Sequence, residues 1–242
     1  MIERHCGAHY THFLNVLQKK LEARSYLEIG VANGGSLAEV ECATAIGVDV
    51  SFEFTVNVMR GKKNLHLFQT SSDSFFREEA AKKLVPDGVD FAFLDGMHAF
   101  EFLLRDFYNT EKVCNRRSVI AMHDCLPVNF EMTERLYVPS ARTDQDYAGW
   151  WTGDVWKIIP ILEKYRPDLV VVPVDCAPTG LVLVTNLDPQ SRVIEDRYLS
   201  IVREFGPSAA DSQKLDALYA RIDVADANRI IEGHDHTLFF RI

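Results

Sequence analysis

Five short apolar runs, each ending in glycine, hydroxyls or an acid, constrain this chain more than any other feature. They read SYLEIG from Ser25, TAIGVDVS from Thr44, NLHLFQTSS from Asn64, VDFAFLDG from Val89 and SVIAMHD from Ser118. Strands so uniformly apolar need burial on both faces, which a sheet gains when helical crossovers join parallel strands. The intervening spacing predicts helices opening near Ser36, around 52–60, through SFFREEAAKKL and over about 99–113. Ahead of them Phe13, Leu14, Leu17 and Leu21 mark an amphipathic helix over about 8–23. The expected fold is α/β, a doubly wound and mostly parallel sheet over residues 25–186, with DLVVVPV and GLVLVT as its last strands. Ligands of such sheets bind beyond the carboxyl ends of the strands. Glu28, Asp49, Ser71, Asp95 and Asp124 all fall there.

Residues 1–24 form an amino-terminal helical segment in this reading, and two regions depart from the alternation. An insertion over about 126–153 is rich in turns and aromatics, as functional lids often are. The extension over 187–242 is mostly helical and is expected to cap the site, cover the sheet or form a homodimer surface. A net charge of −9 argues against nucleic acid as the main partner. No run reaches 18 uninterrupted apolar residues and the first residues lack a signal-peptide core, so a cytoplasmic protein without a membrane partner is expected. Five scattered cysteines, none spaced as CxxC, fit reduced thiols. His5, Cys6, His9 and His12 read as a solvated helix face, and His234 and His236 as a surface turn.

Gly30, Gly34 and Gly35 stand between a strand and a helix, where a ligand can approach the backbone and the helix amino terminus. Ala32 occupies the second position of the GxGxxG dinucleotide pattern, so that pattern is incomplete. Asp49 ends the second strand 19 residues after Gly30, a spacing at which a carboxylate can accept both ribose hydroxyls. Glu28, one residue before the strand end, would repel a pyrophosphate and suits an ammonium group. With these residues the sequence resembles the class I S-adenosylmethionine-dependent methyltransferases over about 25–125. LEIGVANGGS, GVDVS, QTSSD and FLDG carry the likeness, and the run from Glu28 to Ser36 is similar to that of small-molecule O-methyltransferases. The resemblance implies S-adenosylmethionine as cofactor, with Glu28, Gly30, Ala32, Gly34 and Ser36 around its methionine part. It further implies Asp49 on the ribose, Ser71 and Ser72 near the adenine, and Asp95 at the cofactor side of the fourth strand. On the residues alone, Ser71 and Ser72 equally suit the start of the next helix, with Ser72 or Asp73 as its cap.

Two strands end in an acid with an imidazole nearby, DGMH at Asp95 and His98 and MHDC at His123 and Asp124. Methyl transfer to a hydroxyl needs an aligned nucleophile and a base near neutral pKa, a task suited to His98. D-G-x-H followed by H-D resembles bacterial methyltransferases of sugar hydroxyls. That likeness implies His98 as base, Asp95 beside it in catalysis, Asp95 and Asp124 as ligands of Mg²⁺ in some members, and a small hydroxylated acceptor, a sugar or glycoside. Two departures bear on the metal: Cys125 replaces the usual acid or amide, and NRRS replaces a Gly-Gly. His123 reads as a structural, hydrogen-bonded histidine. Tyr147, Trp150, Trp151 and Trp156 are expected to form an aromatic wall over the acceptor or to anchor the insertion. Two alternatives stay open at this level, a nicotinamide-dependent oxidoreductase or epimerase and a catalytically silent cofactor-binding assembly subunit.

Overall fold

The computed structural model describes residues 4–233; His234 and His236 lie outside them. Helix α1 (Tyr10–Lys20) precedes β1 (Ser25–Ile29), α2 (Gly35–Glu39), β2 (Thr44–Asp49) and β3 (Asn64–Gln69). Then come α3 (Ser72–Arg77), α4 (Ala80–Leu84), β4 (Val89–Leu94), α5 (Phe100–Glu111) and β5 (Cys114–His123). The chain continues through α6 (Ile158–Tyr165), β6 (Val170–Val174), β7 (Leu181–Thr185), α7 (Val193–Phe205), α8 (Asp211–Tyr219) and α9 (Ala227–Glu232). The sheet order is β3-β2-β1-β4-β5-β7-β6, parallel throughout except β7, which runs antiparallel to both neighbours. From β1 the chain first builds outward to β2 and β3, then returns to add β4 on the other side. The two loops diverge at that switch and leave a crevice beyond the strand ends.

Alternation along the strands supplies two cores. Leu27 and Ile29 of β1 join Phe100, Leu104 and Phe107 of α5 and Ile158 and Leu162 of α6 on one face. Tyr26 joins Phe13, Leu14 and Leu17 of α1 and Ile230 of α9 on the other. The extension packs back on its own domain, α7 against α5 and α6 and α9 against α1, and so covers the sheet. Two helical expectations change. Residues 52–60 hold no helix but an irregular loop ending in turns. SFFREEAAKKL divides into α3 and α4 because Glu79 adopts φ +52° between them. No helix among the described residues is long and apolar enough to cross a membrane.

Candidate active site

A cavity of about 660 Å³ opens beyond the carboxyl ends of β1, β2, β3 and β4. The loop after β1 supplies Gly30, Ala32 and Ser36, β2 ends in Asp49, and Ser71 and Ser72 follow β3. Asp95, His98 and Asp124 complete the far side. Gly30 has to be glycine: at φ +87° its missing β-carbon would overlap the Asp95 carbonyl, so loop and β4 end touch through backbone. Ala32 is held at φ +44°. Asp49 Oδ2 accepts from the amides of Val31 and Ala32 at 2.7 and 2.8 Å and so shapes the loop it faces. Ser71 is the cap of α3, its hydroxyl accepting from the Ser74 amide, a role expected of Ser72 or Asp73.

Two expected cofactor residues do not line the cavity. Glu28 lies inside the sheet, wholly buried, where the Ser36 and Tyr26 hydroxyls donate to its carboxyl at 2.6 and 2.7 Å. Burial pushes Glu28 up to about 8. It is therefore an uncharged brace for Ser36 at neutral pH and no charged partner for an ammonium group. Gly34 caps α2 and packs against Val58 and Phe54. Residues the sequence reading left out also line the cavity: Tyr10, Asp73, Met97, Phe102 and Asp106. Tyr10 was visible as the preceding member of the inner stripe of α1, three and four residues before Phe13 and Leu14. Asp106 was visible as an acid four residues after Phe102, on a buried face of α5 shared with Leu103, Phe107 and Thr110.

His98 is oriented by the insertion. Its Nδ1 lies 2.9 Å from the Trp151 carbonyl, and since a carbonyl only accepts, Nδ1 carries the proton. Nε2 is then the basic nitrogen, 3.3 Å from Asp124 Oδ2 and 3.7 Å from Asp95 Oδ1. Burial disfavours the His98 imidazolium, but Asp95 and Asp124 outweigh it and its pKa rises. Asp124 sits at φ +60°, a strained conformation that persists where surroundings enforce it, and Thr179 donates to its Oδ1. Burial likewise opposes the Asp95 charge, yet His123 and His98 hold its carboxyl well below the usual range. His123 is structural in the expected sense: Nδ1 is 3.2 Å from Asp95 Oδ1, Tyr10 packs over the ring at 4.1 Å, and Asp124 and Asp95 overcome burial to raise it to about 10.

Asp95, His98 and Asp124 each offer a ligand atom within 4.8 Å of the others, a geometry compatible with one divalent cation. Cys125 takes no part, being buried with Sγ against the His123 carbonyl. The insertion braces this corner. Trp151 packs on His98 at 4.6 Å and on Tyr137 at 5.5 Å. Gly153, at φ +57°, meets the His98 carbonyl where a β-carbon would overlap it. Asp154 caps α5 at the Phe100 amide, and Arg135 ties Asp154 to Glu101. Trp156 is buried in the main core, Trp150 pairs with Tyr147, and neither these nor Trp151 line the cavity. The expected aromatic wall is thus a support for the insertion. His5, expected in solvent, is buried with Nε2 2.8 Å from the Leu126 carbonyl.

A seven-stranded sheet with β7 alone reversed, and a glycine-loop cavity facing a strand-end acid, define the class I methyltransferase architecture. The chain belongs to the family described as a methyltransferase domain, whose model matches residues 5–125. Its fold is similar to that of the O-methyltransferase from Bacillus cereus in complex with SAH, with 14% identity, 72% of this chain and 79% of that one covered, and a TM-score of 0.50. It is similarly close to cofactor-bound Rv0187 from MTB, with 16% identity, 73% and 78% covered, and a TM-score of 0.50. No curated protein matches the sequence. Membership of this family sets aside the nicotinamide-dependent alternative.

Proposed function

We propose that the protein methylates a hydroxyl of a small molecule, a sugar or glycoside by its D-G-x-H motif, with S-adenosylmethionine as donor. The observation that carries the reading is the cavity's charge: Asp49, Asp73, Asp95 and Asp124 line it against the imidazoles of His98 and His123, and among the described residues no lysine or arginine lines it. Such a lining favours a cationic sulfonium. The backbone of Gly30 and Ala32 and the Ser36 hydroxyl would hold the methionine part, Asp49 the ribose, and Ser71 and Ser72 the adenine end. Bound S-adenosylmethionine supplies an electrophilic methyl group. His98 Nε2 removes the proton of the acceptor hydroxyl while the oxygen forms its bond to the methyl carbon and the sulfur–carbon bond breaks; the products are a methyl ether, S-adenosylhomocysteine and the imidazolium. Asp95 and Asp124 stabilise that imidazolium. They would also hold a divalent cation, which would lower the hydroxyl's pKa. Because Nδ1 is engaged, His98 cannot act as ligand and base at once, so the base role leaves the metal to the two carboxylates and solvent.

Calorimetric titration with S-adenosylhomocysteine, with Mg²⁺ and then with EDTA, tests the reading. Micromolar binding is expected, and heats that differ between the buffers would place a cation beside the cofactor. Absence of binding in both buffers overturns the cofactor assignment.

A further inference from the structure

The two carboxylate oxygens of Asp124 have different partners. Oδ2 is the one that lies 3.3 Å from His98 Nε2. Oδ1 accepts from the Thr179 hydroxyl and lies 3.5 Å from His123 Nδ1. Thr179 is buried and does not line the cavity, so it meets Asp124 from the protein side. The backbone sets its place. β7 runs antiparallel to β5 with Leu181 opposite His123, which brings the residues entering β7 beside those leaving β5. The Leu126 amide donates to the Thr179 carbonyl at 3.0 Å, and Gly180, at φ +74°, stands where a β-carbon would overlap the Leu126 side chain. The Thr179 hydroxyl is thus presented by a turn pinned to the chain just beyond Asp124.

The carboxylate of an aspartate turns easily about its last bond, and a quarter turn carries both oxygens out of line with a fixed partner. Asp124 stands just past the end of β5 at φ +60°, so only its surroundings decide that angle. A donor on Oδ1 fixes the plane of the group and leaves Oδ2 facing the ring nitrogen. We propose that Thr179 is a positioning residue for the base: it holds Asp124 through Oδ1 so that Oδ2 accepts from Nε2 once His98 has taken the proton of the acceptor hydroxyl. The assignment rests on the methyl-transfer reading above and on the base role of His98. Thr179 itself touches neither cofactor nor acceptor, since it lies outside the cavity lining. Valine keeps the shape of threonine without the donor, and serine keeps the donor without the methyl group, so hydrogen bonding and packing are separable.

The test reads the His98 ring by proton and nitrogen NMR of its side chain at pH 5 in EDTA, with the signal assigned by its loss in His98→Ala. The His98 pKa stands above the ordinary 6.5, so both ring nitrogens carry a proton there. The wild type and Thr179→Ser are expected to show an Nε2 proton shifted strongly downfield by the carboxylate, and Thr179→Val to lose that shift. Calorimetry with S-adenosylhomocysteine accompanies it, and both variants should bind within about threefold of the wild type. An unshifted Nε2 proton in the wild type overturns the proposal, and so does a valine variant that keeps the shift. Loss of the shift in serine and valine alike also overturns it, because packing rather than the hydroxyl would then hold Asp124. Should the valine variant not fold, Thr179→Ala set against Thr179→Ser makes the same comparison. If the wild type binds no S-adenosylhomocysteine, the cofactor reading falls and the positioning role with it; normal binding beside a ring signal indifferent to Thr179 removes this assignment alone.

Discussion

Replacing Glu28 with glutamine should make the protein's stability less sensitive to alkali. In the fold Glu28 keeps its proton until about pH 8, because burial opposes the charge, against the usual 4.5 in an open chain. Between those values the folded state binds a proton that the unfolded state has released. Stability from this group is therefore complete below about pH 4.5 and drains away as the pH rises through 8. At about 1.4 kcal/mol for each unit of pH, the full loss is about 5 kcal/mol, of which about 3 is already spent at pH 7. Glutamine retains both hydrogen bonds in principle, accepting from one of Tyr26 and Ser36 and donating to the other's oxygen, yet it does not titrate. Urea unfolding of both proteins at pH 5, 7 and 9 measures the difference, in which every other titrating group cancels. The variant should match the wild type near pH 5 and exceed it by about 3 to 5 kcal/mol at pH 9. Parallel pH profiles would refute the assignment of Glu28 as a neutral brace.

Three further outcomes follow from the corner around His98. His98→Ala should lower turnover about 10²- to 10⁴-fold while S-adenosylhomocysteine affinity stays within about threefold, measured by single-turnover assay and calorimetry; unchanged turnover removes His98 as the base. Gly153→Ala forces a β-carbon onto the His98 carbonyl at a left-handed position, and should cost about 2 to 4 kcal/mol in urea unfolding and more than about tenfold in turnover. Lys157, buried between Asp154 and Asp211 at 3.1 and 2.8 Å, holds the insertion to α8. Lys157→Met should destabilise by about 3 kcal/mol, since the acids lose their shared partner; wild-type stability would show that Arg135 and Lys214 suffice.

Much of this site was legible because strand ends obey a simple rule. An apolar run that stops at a polar residue places that residue at the sheet's edge, and Asp49, Asp95 and Asp124 were found that way. The same rule misled at Glu28. One residue inside the strand end is enough to bury a side chain between sheet and helix, where hydroxyls from Tyr26 and Ser36 meet it. The helix expected over 52–60 failed because its apolar residues, Phe52, Phe54 and Val56, alternate along a loop that packs on the glycine turn. Asp106 and Tyr10 were within reach of helical periodicity but sat among residues that looked like core.

By itself the sequence determined the alternation, hence the mostly parallel sheet and the acids at its strand ends, whereas the strand order with its switch beside β1 came from the structure. The former properties are local, since they follow from which residues can be buried on both faces of a strand and which must stop it. The tertiary structure alone decided which nitrogen of His98 is basic, because the Trp151 carbonyl that fixes it lies 53 residues away in the chain. It likewise decided that Glu28 is neutral and that Asp106 faces the cavity. Protonation state and orientation depend on what surrounds a group in space, and no spacing along the chain specifies that.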